Sequence, residues 1–240
     1  MSTMSSKTYG RIVGSMFLLA FVVYGGGSLL ALSVTGEPVV LADVIGAEAR
    51  LAAGVLLMLM NSAVVITIGV AAYPVLKRHH PLTASAYLLT RGFEATLLAV
   101  SAVLLLSFVP LAKQLETSSD PSAATAARVL HATSLDTYSV AMVGLSLGSL
   151  LFCRALFRAR LIPRALAALG FVGYMSLAAG SALELFGHSY GVLYLPPGAV
   201  FEASVGLLLV IKGFPEVQGQ DLPTAAPPTP AVRLRTAAPA

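Results

Sequence analysis

Three ionisable residues lie inside long apolar stretches of this 240-residue chain: Arg91 and Glu94 in one stretch, and Glu202 in another. A charged side chain at the centre of a bilayer is costly, so such residues pair with one another, line a cavity or serve transport. Arg91 keeps its charge and can bind a carboxylate or phosphate bidentately. A carboxyl group can exchange a proton. We therefore consider these three residues a candidate buried polar site.

The spacing of the three residues predicts how they meet. Arg91 and Glu94 are three residues apart and share a helix face. At 1.5 Å per residue, Arg91 lies about 14 Å and Glu94 about 18 Å from the cytoplasmic start of their span, and Glu202 about 14 Å from the cytoplasmic end of its own. We expect Arg91 between two carboxyls, one of them protonated, because three charges would leave a net negative site. A purely structural ion pair is the alternative.

The composition predicts the elements that position these residues. The chain is 57% hydrophobic and 11% charged, with a mean hydropathy of +0.84, whereas soluble domains average about 25% charged residues. Each membrane span needs about 20 apolar residues. The sequence therefore predicts an all-α integral membrane bundle of six transmembrane helices. These spans occupy residues 12–32, 51–76, 82–111, 135–157, 162–185 and 196–211 of a single domain over 12–213.

Basic residues concentrate before the first span, after the second, around the link between the fourth and fifth, and after the sixth. By the positive-inside rule, both termini are cytoplasmic. Residues 1–11 then form a cytoplasmic N-terminal segment, and the Pro/Ala-rich residues 214–240 form a disordered cytoplasmic tail. The alternative is that the first span is a signal peptide. Its removal by cleavage would leave an odd number of spans.

A second group of polar residues lies near the outer ends of the spans. Each of them alone fits an interfacial side chain that faces water, and together they would form the outer rim of a polar funnel above the central site. This candidate rim comprises Glu48, Arg50, Asn61, His131, Asp136, Tyr138 and Glu184.

Several functional classes lack support in the sequence. The single Cys153 excludes an internal disulfide and a site built on several cysteines. No zinc-protease, serine-hydrolase, phosphate-loop or dinucleotide motif is present. We therefore predict no metal and no cofactor. The basic residues are scattered over short loops, which argues against nucleic acid as a partner.

Several short motifs occur in an order that resembles a known family. They are Arg11 to Gly14, Arg91 to Ala95, His131 through Tyr138, Leu161 to Leu166, and the Glu202 span that ends in Lys212 and Gly213. Over about residues 8 to 214, the chain resembles the bacterial membrane family called domain of unknown function 4386. That family often carries Trp, which this chain lacks. The resemblance implies a multi-pass protein of the bacterial inner membrane and transfers no activity.

Three functional hypotheses follow for a protein whose partner is the lipid bilayer. The first is a transporter or proton-linked carrier, in which Glu94 or Glu202 exchanges a proton and Arg91 holds an anionic group. The second is a membrane-embedded enzyme that acts on a lipid or isoprenoid through a protonated carboxyl. The third is a structural or assembly protein. The sequence leaves the oligomeric state open.

Overall fold

A computed structural model describes residues 4–37, 39–118, 121–188 and 193–216 of the chain, and every regular element in these ranges is a helix. The helices are α1 (Ser6–Ala20), α2 (Gly26–Thr35), α3 (Glu48–His79), α4 (Pro81–Leu106), α5 (Phe108–Ser118), α6 (Pro121–Arg158), α7 (Arg164–Leu185) and α8 (Pro196–Lys212). A π-helical turn (Phe21–Gly25) joins α1 to α2, and a 3-10 turn (Leu41–Val44) precedes α3. Most of the predicted tail lies outside the described residues.

Five helical segments are long and apolar enough to cross a membrane: Ser6–Thr35, Glu48–His79, Pro81–Thr117, Ser122–Arg158 and Arg164–Leu185. Their mean hydropathies lie between 1.6 and 2.3. The all-α membrane class predicted from the sequence is therefore confirmed at this level. The remaining helix, α8, has 17 residues and is about 26 Å long, slightly less than a hydrocarbon core of about 30 Å.

Six helices form a closed ring in the order α1, α3, α4, α6, α7, α8, with α8 packing back against α1. Each helix therefore contacts its two ring neighbours. Two helices separate α4 from α8 in either direction, so these two face each other across the ring. The helices α2 and α5 lie beside this ring and pack against α3 and α6, respectively.

Glycines let several of these helices approach one another closely. A Cβ atom at Gly14 of α1 would lie 2.5 Å from the carbonyl oxygen of Gly206 in α8. In α6, Gly144 faces the ring of Phe93, and Gly148 faces the side chain of Thr90. This GxxxG pair in α6 therefore serves packing against α4 within one chain, where small residues allow close helix contact.

Candidate functional site

A cavity of about 240 Å³ lies inside the helix ring. Every ring helix contributes to its wall, including Phe17 from α1, Asn61 from α3, Arg91 and Glu94 from α4, Tyr138 from α6, Tyr174 from α7 and Glu202 from α8. Because the wall needs all six helices, the cavity is a property of the complete bundle. Most of the remaining wall residues are apolar.

Arg91 is held in place mainly by its own helix. Its Nη1 lies 2.9 Å from Oε2 of Glu94, and the side chains of this ion pair are only 3% and 5% exposed. Its Nε donates a hydrogen bond of 3.0 Å to the hydroxyl oxygen of Tyr87. The three residues follow one another at spacings of four and three along α4, so they lie on one helix face. This face points into the ring.

The guanidinium of Arg91 also packs between two aromatic rings. Its central carbon lies 5.4 Å from the ring centroid of Phe17 and 5.2 Å from that of Tyr87, which are cation–π distances. Its Nη2 is buried and has no hydrogen-bond partner among the described residues, and the same holds for Oδ1 of Asn61. Both side chains line the cavity. Buried polar atoms are almost always paired, so these two are available for a ligand or water.

Glu202 has a different partner from Glu94. Its Oε1 accepts a hydrogen bond of 2.7 Å from the hydroxyl of Tyr174. Tyr174 is fully buried and makes an edge contact with Phe201, at 5.7 Å between ring centroids. Neighbouring helices α7 and α8 therefore fix the Glu202 carboxyl toward the cavity.

The structure brings Arg91, Glu94 and Glu202 to one cavity, in an arrangement that differs from the expected one. The sequence hypothesis placed Arg91 between two carboxyls. In the structure the salt bridge of Arg91 is with Glu94, and Glu202 is hydrogen bonded to Tyr174. The reason is the ring order, which sets α4 and α8 on opposite sides of the cavity.

Only two of the rim residues predicted from the sequence line this cavity, namely Asn61 and Tyr138. The other five residues are not part of its wall. Glu48 lies in the first turn of α3, Arg50 and Asp136 are exposed, His131 packs against Phe108, and Glu184 accepts a hydrogen bond from Ser139.

Apart from Tyr138, the aromatic side chains are the part of the site that the sequence hypothesis missed. Tyr24 and Tyr138 stack at 6.0 Å between ring centroids, and Phe17, Phe21 and Tyr174 line the same cavity. Tyr24 and Phe21 come from the π-helical turn, a feature that often marks functional sites. Among the missed aromatic residues at the site, only Tyr87 could have been found from the sequence, because it precedes Arg91 by four residues and therefore shares its helix face.

Metal binding has no support in the part of the chain that the structure describes, where no group of three or more His, Cys, Asp or Glu residues could hold an ion. Cys153, the single cysteine, is buried in α6.

Comparison with known proteins identifies a family. The model of a family described as Domain of unknown function (DUF4386) matches residues 12–213. No curated protein and no solved structure matches the chain.

Proposed function

The chain belongs to the DUF4386 family, and from that premise and the geometry of its cavity we propose that it is a proton-linked carrier of a small molecule. We further propose that it crosses the bacterial inner membrane six times, with both termini in the cytoplasm. The observation that carries the functional proposal is the cavity that all six ring helices line, because it contains Glu202, a carboxyl that forms no ion pair within 4.0 Å among the described residues.

The proposal of a sixth span is based on the position of α8. It packs between α7 and α1 and thereby closes the ring. Pro196 and Pro197 begin it, where missing N–H groups cost nothing, and Lys212 ends it. Its length of about 26 Å suits a hydrocarbon core of about 30 Å with slight local thinning.

Topology fusions test the span count. Green fluorescent protein fused to either terminus should fluoresce, and alkaline phosphatase at the C-terminus should be inactive, because six spans return the chain to its starting side. An active phosphatase at the C-terminus, with fluorescence at the N-terminus, would instead require an odd number of spans.

Glu202 is the group that we assign to proton exchange. Arg91 and Glu94 form a compact buried pair, so neither is free to change charge without leaving the other uncompensated. Among the described residues, the hydrogen-bond partner of Glu202 is the neutral hydroxyl of Tyr174. It can therefore take up a proton when the cavity is empty and release it when a ligand occupies the cavity.

Proton movement in proteoliposomes tests this function. Vesicles loaded with a pH-sensitive dye receive a gradient of benzyltrimethylammonium or of benzenesulfonate, two one-ring ions of opposite charge. We expect one of them to drive proton movement above that of empty vesicles. Glu202→Gln should abolish the signal.

Glu184→Gln is a matched control. Glu184 is also partly buried and also accepts a hydrogen bond from a hydroxyl, that of Ser139 at 3.0 Å, but it does not line the cavity. Its variant should move protons like the unmodified protein. A signal from neither ion, or one that persists in Glu202→Gln, would contradict the carrier function.

A further inference from the structure

The positive and negative charges along the cavity wall do not balance. Among the described residues that line it, Arg91 is the one cation, and Glu94 and Glu202 are the acids. Arg91 and Glu94 compensate each other at 2.9 Å. The hydrogen-bond partner of Glu202 is a neutral hydroxyl. Once Glu202 has released its proton, the cavity therefore holds one uncompensated negative charge.

This imbalance discriminates between classes of ligand. An anion would raise the uncompensated charge to two, and a neutral molecule would leave it at one. A monovalent cation reduces it to zero. Because buried charges are retained only when they are paired, the wall favours a ligand with one positive charge.

The aromatic residues of the wall also favour a positively charged ligand. Among the described residues, five aromatic side chains line the cavity: Phe17, Phe21, Tyr24, Tyr138 and Tyr174. Aromatic faces attract cations, and quaternary ammonium groups are commonly bound in this way. The guanidinium over Phe17 shows that this wall already accommodates one cation.

Part of the cavity wall also reaches the surface of the bundle. The helices α1 and α8 touch closely around Gly14 and Gly206. Farther along, Phe21 lines the cavity and is 41% exposed, and a Cβ atom at Gly25 would meet nothing within 4 Å. Leu195 and Ala199 at the start of α8 line the cavity as well, so we infer that it opens between the π-helical turn and α8.

A side opening in a membrane bundle faces the lipid, so a ligand that enters there has an apolar body. The cavity volume of about 240 Å³ limits the size of that body. An engineered apolar cavity of about 150 Å³ binds benzene. The present cavity is therefore large enough for one aromatic ring and a small ammonium group.

We propose that the ligand of this cavity is a monovalent organic cation with a small apolar body, and that the Glu202 carboxylate is its counter-charge. This inference rests on the proposed function, because it names the class of molecule that the carrier binds. Arg91 contributes no net charge to the site, because Glu94 compensates it.

Calorimetry in nanodiscs tests the charge preference with three probes of similar size: benzyltrimethylammonium, its uncharged isostere neopentylbenzene, and benzenesulfonate. Empty nanodiscs give the background. We expect the cation to bind at least about tenfold more tightly than the isostere, which corresponds to one charge-assisted contact. Benzenesulfonate should bind most weakly.

Three variants identify the counter-charge. Glu202→Gln should bring the cation to within about twofold of the isostere, since the charge-assisted contact is gone. Glu202→Asp keeps the charge and should keep the preference for the cation. Glu184→Gln should behave like the unmodified protein. The Asp variant also covers the case in which the Gln variant does not fold.

The outcomes separate this inference from the proposed function. If benzenesulfonate or neopentylbenzene binds as tightly as the cation to the unmodified protein, the class of ligand is wrong and the binding site stands. If the cation binds selectively but moves no protons in vesicles, the carrier function is wrong and the class stands. If no probe binds above the empty nanodiscs, both are overturned.

Discussion

The Arg91–Glu94 pair gives the sharpest prediction about what stabilises the bundle. Replacement of Arg91 by Met leaves the Glu94 carboxyl buried without its counter-charge, and replacement of both residues by Met removes the pair altogether. We expect Arg91→Met to be strongly destabilising and the double variant Arg91→Met/Glu94→Met to be much less so. Buried ion pairs generally behave in this way, because a pair of apolar residues avoids the desolvation of two charges.

The size of the effect follows from the geometry. The pair has a contact of 2.9 Å between Nη1 and Oε2 and side chains that are 3% and 5% exposed. With about 4 Å between charge centres and an effective dielectric of about 20, the attraction is about 4 kcal/mol. Arg91 also loses its hydrogen bond to Tyr87. We therefore expect Arg91→Met to lower the free energy of unfolding by about 3 to 5 kcal/mol.

Unfolding in mixed micelles of mild detergent and dodecyl sulfate measures this free energy. The double variant should lose no more than about 1 kcal/mol, so that the two single changes are coupled by at least about 2 kcal/mol. Arg50→Met is the control, because Arg50 is exposed at the start of α3. Arg91→Met with no larger loss than Arg50→Met, or a double variant whose loss equals the sum of the single losses, would refute the reasoning.

Three further predictions concern packing, access and a hydroxyl contact. Gly148→Leu should lower the free energy of unfolding by about 1 to 3 kcal/mol, because the added side chain would collide with Thr90. Gly92→Leu is the control and should be tolerated, because the space around Gly92 is open. The same micelle assay measures both variants. Gly25→Leu should fold normally and weaken binding of benzyltrimethylammonium in nanodiscs, because its side chain enters the open mouth of the cavity. Ser134→Ala should lower the free energy of unfolding by about 0.6 to 1.7 kcal/mol, because the buried Ser134 hydroxyl is hydrogen bonded to α4.

The all-α class with long apolar helices could be predicted because such helices depend on a local property of the sequence. Apolar runs of span length are bounded by charged residues and proline, and helices begin at Pro81 and Pro196 and end at His79 and Lys212. One interruption was not foreseen. The predicted span over 82–111 is divided at Ser107, where α4 ends and α5 begins.

The partners of the buried charges could be predicted only where they are local. Glu94 is three residues from Arg91, and helix geometry alone brings the two together. Tyr174 is 28 residues from Glu202 and on another helix, so its contact depends on the ring order, which the sequence did not provide. The same dependence explains why most of the predicted rim residues do not line the cavity. A residue near the end of a span lines the cavity only when its helix face points inward.

The ring order also separates two roles that the sequence combined in one cluster. Arg91 and Glu94 carry opposite charges, so Arg91→Met/Glu94→Met removes both without changing the net charge of the cavity. Glu202→Gln changes the net charge and leaves the ion pair intact. If the pair mainly fixes α4 and Glu202 holds the ligand, the double variant should retain the preference for benzyltrimethylammonium over neopentylbenzene, and Glu202→Gln should lose it. The reverse pattern would assign ligand binding to Arg91 and would make Glu202 a packing residue held by Tyr174.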